Sequence, residues 1–308
     1  MKKLYAYSLL NYLLLLTATL QAQDSNVKIG PNAGSNIQST GAANVMIGRY
    51  AGNSTSTGIV NVMIGNETGR YNTSGNYNTF IGNSAGSGNQ NGSYNTCIGD
   101  GAGYLTNSSN NMMLGVHAGF NTTSGGNNVM IGSETGTNNV TGSSITLIGN
   151  GANVSANNLV NATAIGTNAV ASVSNTVILG NNASVGIGTP NPGSFRLAVE
   201  GKIGEREIEV RVPGSSWADF VFKPGYRLRS LQQVERFIQQ QGHLPDVPSE
   251  QDVEKNGVAL GEMNARLLQK VEELTLYVIA LEKRSQRQSR QIARLNQHVN
   301  RSAKPAHK

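Results

Sequence analysis

The 308-residue chain is only 14% charged, carries a formal net charge of +6, and contains 37 glycines and one cysteine. Apolar residues spread thinly and regularly exclude one compact core of ordinary density and point to stacked units. A lone Cys97 excludes an internal disulfide, and no His or basic residue stands near it in sequence to activate the thiol. The chain opens on Lys2 and Lys3, followed by an apolar run from Leu9 to Leu20 and a small residue at Ala22. That order predicts a secretory signal peptide over residues 1–22, too short to span a bilayer comfortably. The expected mature chain is therefore exported, with no transmembrane segment.

From residue 23 the sequence is governed by a repeat. An Ile-Gly or Leu-Gly step recurs at Gly48, Gly65, Gly82, Gly99, Gly115, Gly132, Gly149 and Gly166, with spacings of 17 residues and a single 16. Asn44, Asn61, Asn78, Asn95, Asn111 and Asn128 precede the glycine by four, and a second glycine follows four later, from Gly52 to Gly136. Each unit holds two or three apolar groups and cannot fold alone, so the units must stack as a parallel β-solenoid of about ten coils. The residue before the glycine (Ile47, Ile64, Ile81 and their equivalents) is expected to point inward. The residue one earlier (Met46, Met63, Phe80, Cys97, Met113, Met130, Leu147) then takes the opposite face by strand alternation. A strand apolar on both faces is expected to be covered on both, the second by another chain. Glycine permits a corner with positive φ, and Asn suits turns and stacked amide ladders.

After Asn161 the unit shortens. Asn161 to Gly166 and Asn175 to Gly180 lie 14 apart, with Asn five before the glycine. These two units, Asn-Ala-Thr-Ala-Ile-Gly and Asn-Thr-Val-Ile-Leu-Gly, resemble the head repeats of YadA-like trimeric adhesins. The resemblance implies a left-handed parallel β-roll head, assembly as a homotrimer, and binding to matrix or cell surfaces. Ala169 and Ala183 depart from the family's final Ser, and the family's membrane barrel has no counterpart here.

Residues 189–259 are expected to form a small α+β neck. Val185 to Pro192 closes the stack, and its prolines block further strand addition. Leu197–Ile203 and Glu207–Val212 alternate as strands, with Trp217, Phe220, Phe222 and Tyr226 as the neck core. Ser230-Leu-Gln-Gln opens a helix ended by Gly242, and Ser249 caps a second, shorter helix that stops at Gly257. The segment from His243 to Asn264 resembles the C-terminal region of tail-fibre-domain surface proteins, which implies a trimerising role. No Ser-Asp step exists between Gly214 and Arg229 to support self-cleavage.

Residues 260–300 carry heptads. Leu267, Leu274, Leu281 and Leu295 share one core position, and Val271, Val278 and Ile292 the other, with Ser285 and Gln288 interrupting the seam. β-Branched a positions with Leu at d lean toward two strands, whereas the head resemblance implies three. Residues 301–308 complete a basic tail: eight Lys or Arg and no acid follow Glu282. Aromatic interleaving is absent from it, which argues against nucleic acid as a partner.

Little points to chemistry. Between Asn26 and Phe195 the charged residues are Lys28, Arg49, Glu67, Arg70, Asp100 and Glu134, and the four histidines have no metal-ligand spacing. The sequence therefore predicts a non-enzymatic chain with no cofactor and no metal. It reads as an adhesin-like fibre at the surface of a Gram-negative-type bacterium, secreted or in the periplasm. Its expected partners are its own copies, as a homotrimer or dimer, and an unidentified surface, glycan or matrix ligand. The alternative is a structural tail-fibre-like spacer without a ligand of its own.

Overall fold

The structure is a computed structural model describing residues 25–38, 40–211 and 217–302. The expected signal segment and the last residues of the basic tail lie outside these. The chain divides into two compact units, residues 1–203 and 204–308.

The first unit is a parallel β-solenoid of about nine turns. Three-residue strands β1 (Val27–Ile29), β2 (Val45–Ile47), β3 (Val62–Ile64), β4 (Thr79–Ile81), β5 (Thr96–Ile98), β6 (Met112–Leu114), β7 (Val129–Ile131) and β8 (Thr146–Ile148) pair in order. β10 (Ala162–Ile165) and β12 (Thr176–Leu179) extend the sheet to ten strands. Every pairing is in repeat register, for example Met63 against Phe80 and Phe80 against Cys97. In the shortened coils β9 (Asn153–Val154) and β11 (Val170–Ala171) form a second small sheet. The large sheet stops at β12; β13 (Val185–Ile187) instead pairs with β14 (Leu197–Val199) across the Pro190–Pro192 turn.

The expected facing of the strands is reversed. Met46, Met63, Phe80, Cys97, Met113, Met130 and Leu147 are completely buried and form the inner column. Ile47 and its equivalents, together with the residue two before each, lie on the outer face, half-buried or exposed. The reason lies in the asparagines. Asn44, Asn61 and Asn78 are also fully buried, and strand alternation puts the residue two later on the same side. Each asparagine is held inward by its amide: Asn61 Oδ1 accepts the backbone N–H of Asn78 at 2.9 Å, and Asn61 Nδ2 donates to Gly75 O at 2.9 Å. The ladder continues through Asn95, Asn111 and Asn128 and ends where Asn128 Oδ1 accepts from Ile145 N. Two hydrogen bonds per amide outweigh the preference of asparagine for water, so the parity of the whole strand follows it. In the 14-residue coils the asparagine sits one position earlier and turns outward, Asn161 Nδ2 donating to Asn175 Oδ1 at 3.0 Å. The interior there narrows, and Ala162 and Ala164 replace the larger side chains.

The second unit holds a 3-10 turn (Ala218–Phe222) and helices α1 (Leu231–Gln241), α2 (Glu250–Asn256) and α3 (Leu260–Ser302). Ser230 and Ser249 each complete a capping box, and Gly242 ends α1 in the left-handed conformation. The 3-10 turn packs on α3, burying Ala218 and Val221 near the buried Ala265. Two expectations for the neck fail. Glu207–Arg211 forms no strand. Trp217, Phe220 and Phe222 are not core residues, since Trp217 is 52% and Phe222 57% exposed. Among the described residues no second layer covers these rings, and the small side chains between them make the contact with α3 instead.

Candidate interaction surfaces

The repeat glycines form one corner ladder that only glycine can occupy. Gly48, Gly65, Gly82, Gly99, Gly115, Gly132, Gly149 and Gly166 all have φ between +122° and +139°. A Cβ on Gly82 would lie 2.4 Å from the carbonyl oxygen of Gly99 in the next coil, and one on Gly48 would lie 2.3 Å from that of Gly65. Gly180, at the end of the stack, has φ +74° and meets only Ala183.

Two further corner ladders were not legible in the sequence. Two residues after each repeat glycine stands a residue with positive φ: Tyr50, Glu67, Ser84, Gly101, His117, Glu134. Five residues before it stands another: Val60, Tyr77, Tyr94, Asn110, Asn127. The side chains there vary because they point away from the core, so no residue type marks the position. These corners carry the exposed chemistry of the stack. Tyr77 and Tyr94 stack at 5.0 Å, and Tyr104 and Phe120, on another row, at 4.9 Å. Arg70 pairs with Glu67 at 3.1 Å, and its guanidinium, like that of Arg49, lies over the Tyr50 ring. His117 Nδ1 lies 2.8 Å from Glu134 Oε1. On an adjacent edge Asn66 donates to Asn83 and Asn83 to Asp100. Asp100, Glu67 and Glu134 are thus paired within ladders rather than gathered into one cluster.

On the outer face of the large sheet the Ile/Leu column from Ile47 to Ile148 is an apolar stripe running coil to coil. It is flanked by Val45, Val62, Met112 and Val129 and, in the other coils, by Thr79, Thr96 and Thr146. Cys97 takes no part in any surface. It fills the inner column between Phe80 and Met113, and burial pushes its thiol up to about 12.

In the second unit Leu267, Val271, Leu274, Val278, Leu281, Ile292 and Leu295 share one uncovered stripe of α3, each between 47% and 66% exposed. The first three also line a groove of about 560 Å³ with Leu231, Val234 and Leu244. A polar network tethers the turn before α2 to α3. Asp246 Oδ2 accepts from Lys270 Nζ at 3.0 Å, Asp246 Oδ1 from Arg229 at 3.2 Å, and Arg266 donates to the Asp246 carbonyl at 2.9 Å. Partial burial by itself would raise the Asp246 carboxyl, but Lys270 and Arg229 together hold it below the usual carboxylate range. Lys270 also reaches Glu273, which accepts from the Tyr226 hydroxyl.

Among the described residues no three His, Cys, Asp or Glu side chains gather as a metal site, and no helix is long and apolar enough to cross a membrane. No protein-family model matches the chain, and no curated protein matches it.

Proposed function

We propose that this chain is an exported, adhesin-like fibre protein that binds a surface ligand through its repeat head, without catalysis, as a homotrimer. The observation that carries the reading is the pair of long apolar stripes left uncovered on a single chain. The heptad stripe of α3 presents seven large aliphatic side chains, broken at Ser285 and Gln288, and its unbroken part from Leu267 to Leu281 drives helices to associate as a coiled coil. The outer sheet face presents a second stripe that another copy of the head would cover. The likeness of the 14-residue units to trimeric adhesin heads favours three copies and a left-handed roll. The export signal favours the outer surface of a Gram-negative-type cell.

The corner ladders supply the binding capacity. A stack in which each coil is hydrogen-bonded to the next holds its outward side chains rigidly, so little ordering entropy is lost on binding. A spacer without a ligand is the second reading. It draws support from the Asn66–Asn83–Asp100 ladder, whose hydrogen bonds run between coils.

Light scattering on residues 23–308 tests assembly: three chain masses are expected, and a monomer overturns the fibre. Adhesion of the same protein to matrix- and glycan-coated surfaces separates adhesin from spacer, the spacer adhering to none.

A further inference from the structure

The repeat allows one coil to be compared with another at equivalent positions. In the third coil Glu67 stands two after its repeat glycine and Arg70 five after. The Arg70 guanidinium lies 5.0 Å from the centre of the Tyr50 ring of the preceding coil and 3.1 Å from Glu67. Four coils further on the same register reads His117 for Tyr50, Glu134 for Glu67 and Thr137 for Arg70. Acid and ring are kept, and the cation is gone. The space it would fill is a recess of about 310 Å³ lined by His117, Phe120, Asn121, Glu134 and Thr137.

The walls of this recess suit the missing group. Phe120 has one face stacked on Tyr104 at 4.9 Å and meets the His117 ring edge-on at 5.2 Å. Its other face is directed toward the coil of Thr137, whose short side chain does not continue the stack. Glu134 is more than half exposed, and its Oε1 accepts from His117. A carboxylate has further lone pairs, so one acceptor oxygen remains for a ligand. Asp100 and Glu134 are the only formally charged side chains between Arg70 and Arg196, so this half of the head attracts cations.

We infer that the His117–Phe120–Glu134–Thr137 recess receives an arginine side chain of a protein partner, paired with Glu134 as Arg70 pairs with Glu67, and stacked on Phe120 because His117, which stands in the register of Tyr50, is turned to Glu134. Arginine fits better than lysine because its planar guanidinium can stack on a ring and present two donors to a carboxylate. The inference rests on the head being a binding module.

The test uses the whole mature chain and three probes: a hexa-arginine peptide, a hexa-lysine peptide and a neutral β-1,4-linked N-acetylglucosamine hexamer, each measured by calorimetry. The chain is itself net positive, so bulk charge opposes capture of the peptides. Hexa-arginine is expected to bind more tightly than hexa-lysine. Thr137→Arg, which restores the third-coil arrangement, and Glu134→Gln should each weaken it about 10-fold, the scale of one charge-assisted hydrogen bond. Thr137→Arg should melt no lower than the natural chain, which guards against misfolding as the cause. Equal affinity of the natural chain and Thr137→Arg, no binding of hexa-arginine, or preferential Thr137-dependent binding of the sugar would each overturn the assignment. Surface adhesion retained in full by Thr137→Arg would sink the recess but leave the adhesin reading intact. Loss of adhesion by the natural chain alongside intact hexa-arginine binding would do the reverse.

Discussion

Replacing Gly82 by alanine and Gly101 by serine separates two reasons for glycine in one repeat. Gly82 has φ +129°, and its added Cβ would sit 2.4 Å from Gly99 O, 2.7 Å from Gly99 C and 3.3 Å from Asp100 N. All three atoms are backbone of the adjacent coil, so relief requires the two coils to part locally. The hydrogen bond from Gly99 N to Ile81 O at 2.8 Å is the first to be lost. Backbone strain of about 1–3 kcal/mol and one or two broken ladder bonds at about 1 kcal/mol each sum to roughly 3–5 kcal/mol. Gly101 has φ +61°, and the nearest atoms to its Cβ would be side-chain ring atoms, His117 Cδ2 at 2.7 Å and Phe120 Cδ2 at 3.1 Å, which can turn aside without parting the coils. Ser84 holds the same register with φ +54°, so Gly101→Ser should cost about 1 kcal/mol. Urea unfolding followed by far-UV circular dichroism measures both. Because neighbouring coils are coupled, Gly82→Ala should also broaden the transition as the stack divides near the substitution. Equal costs for the two variants would refute the claim that coil contact, rather than φ alone, selects the repeat glycine.

Asn78→Ala strips the partner from the buried Asn95 N–H, whereas the Gly92 carbonyl keeps the bond from Asn89 Nδ2 at 3.0 Å. At about 1–3 kcal/mol for one orphaned buried group it should cost about 2 kcal/mol in the same unfolding assay, and a loss under about 1 kcal/mol would contradict the ladder's role. Cys97, buried and with its thiol raised to about 12, should resist a disulfide reagent in mildly alkaline buffer and react stoichiometrically once urea is added; rapid labelling of the native protein would count against its place in the inner column. Asp246 has a folded-state carboxyl below its unfolded value, so its contribution is complete above the ordinary carboxylate range and is lost as pH falls through the lowered value. Lys270→Met should therefore move the acid transition of the second unit, followed by Trp217 fluorescence, to higher pH, and an unchanged midpoint would exclude the tether.

The repeat was legible because each coil must satisfy the same local demands. Glycine marks the corner where the next coil's backbone passes closest, and asparagine marks the amide ladder. Strong local signals also identified α1 and α2, each opened by a capping box and ended by glycine. Within the neck, one expected strand and the expected ring core fail because alternation in Glu207–Arg211 and a cluster of rings from Trp217 to Phe222 imitate a strand and a core. Neither finds a second layer to pack against among the described residues. The outward corners leave no mark in the sequence for a related reason. Val60, Tyr77 and Asn110 share one backbone conformation but no side-chain property that a sequence pattern could register.

What the sequence determined by itself was the period, the register and the identity of the corner residue, since all three follow from covalent geometry and steric contact repeated along the chain. What only the tertiary structure decided was which side of each strand faces inward. Met46 and Ile47 are equally apolar, so hydrophobicity leaves the parity open. Hydrogen bonding of the buried asparagine amides to backbone in neighbouring coils resolves it, and that partner exists only once the coils are stacked.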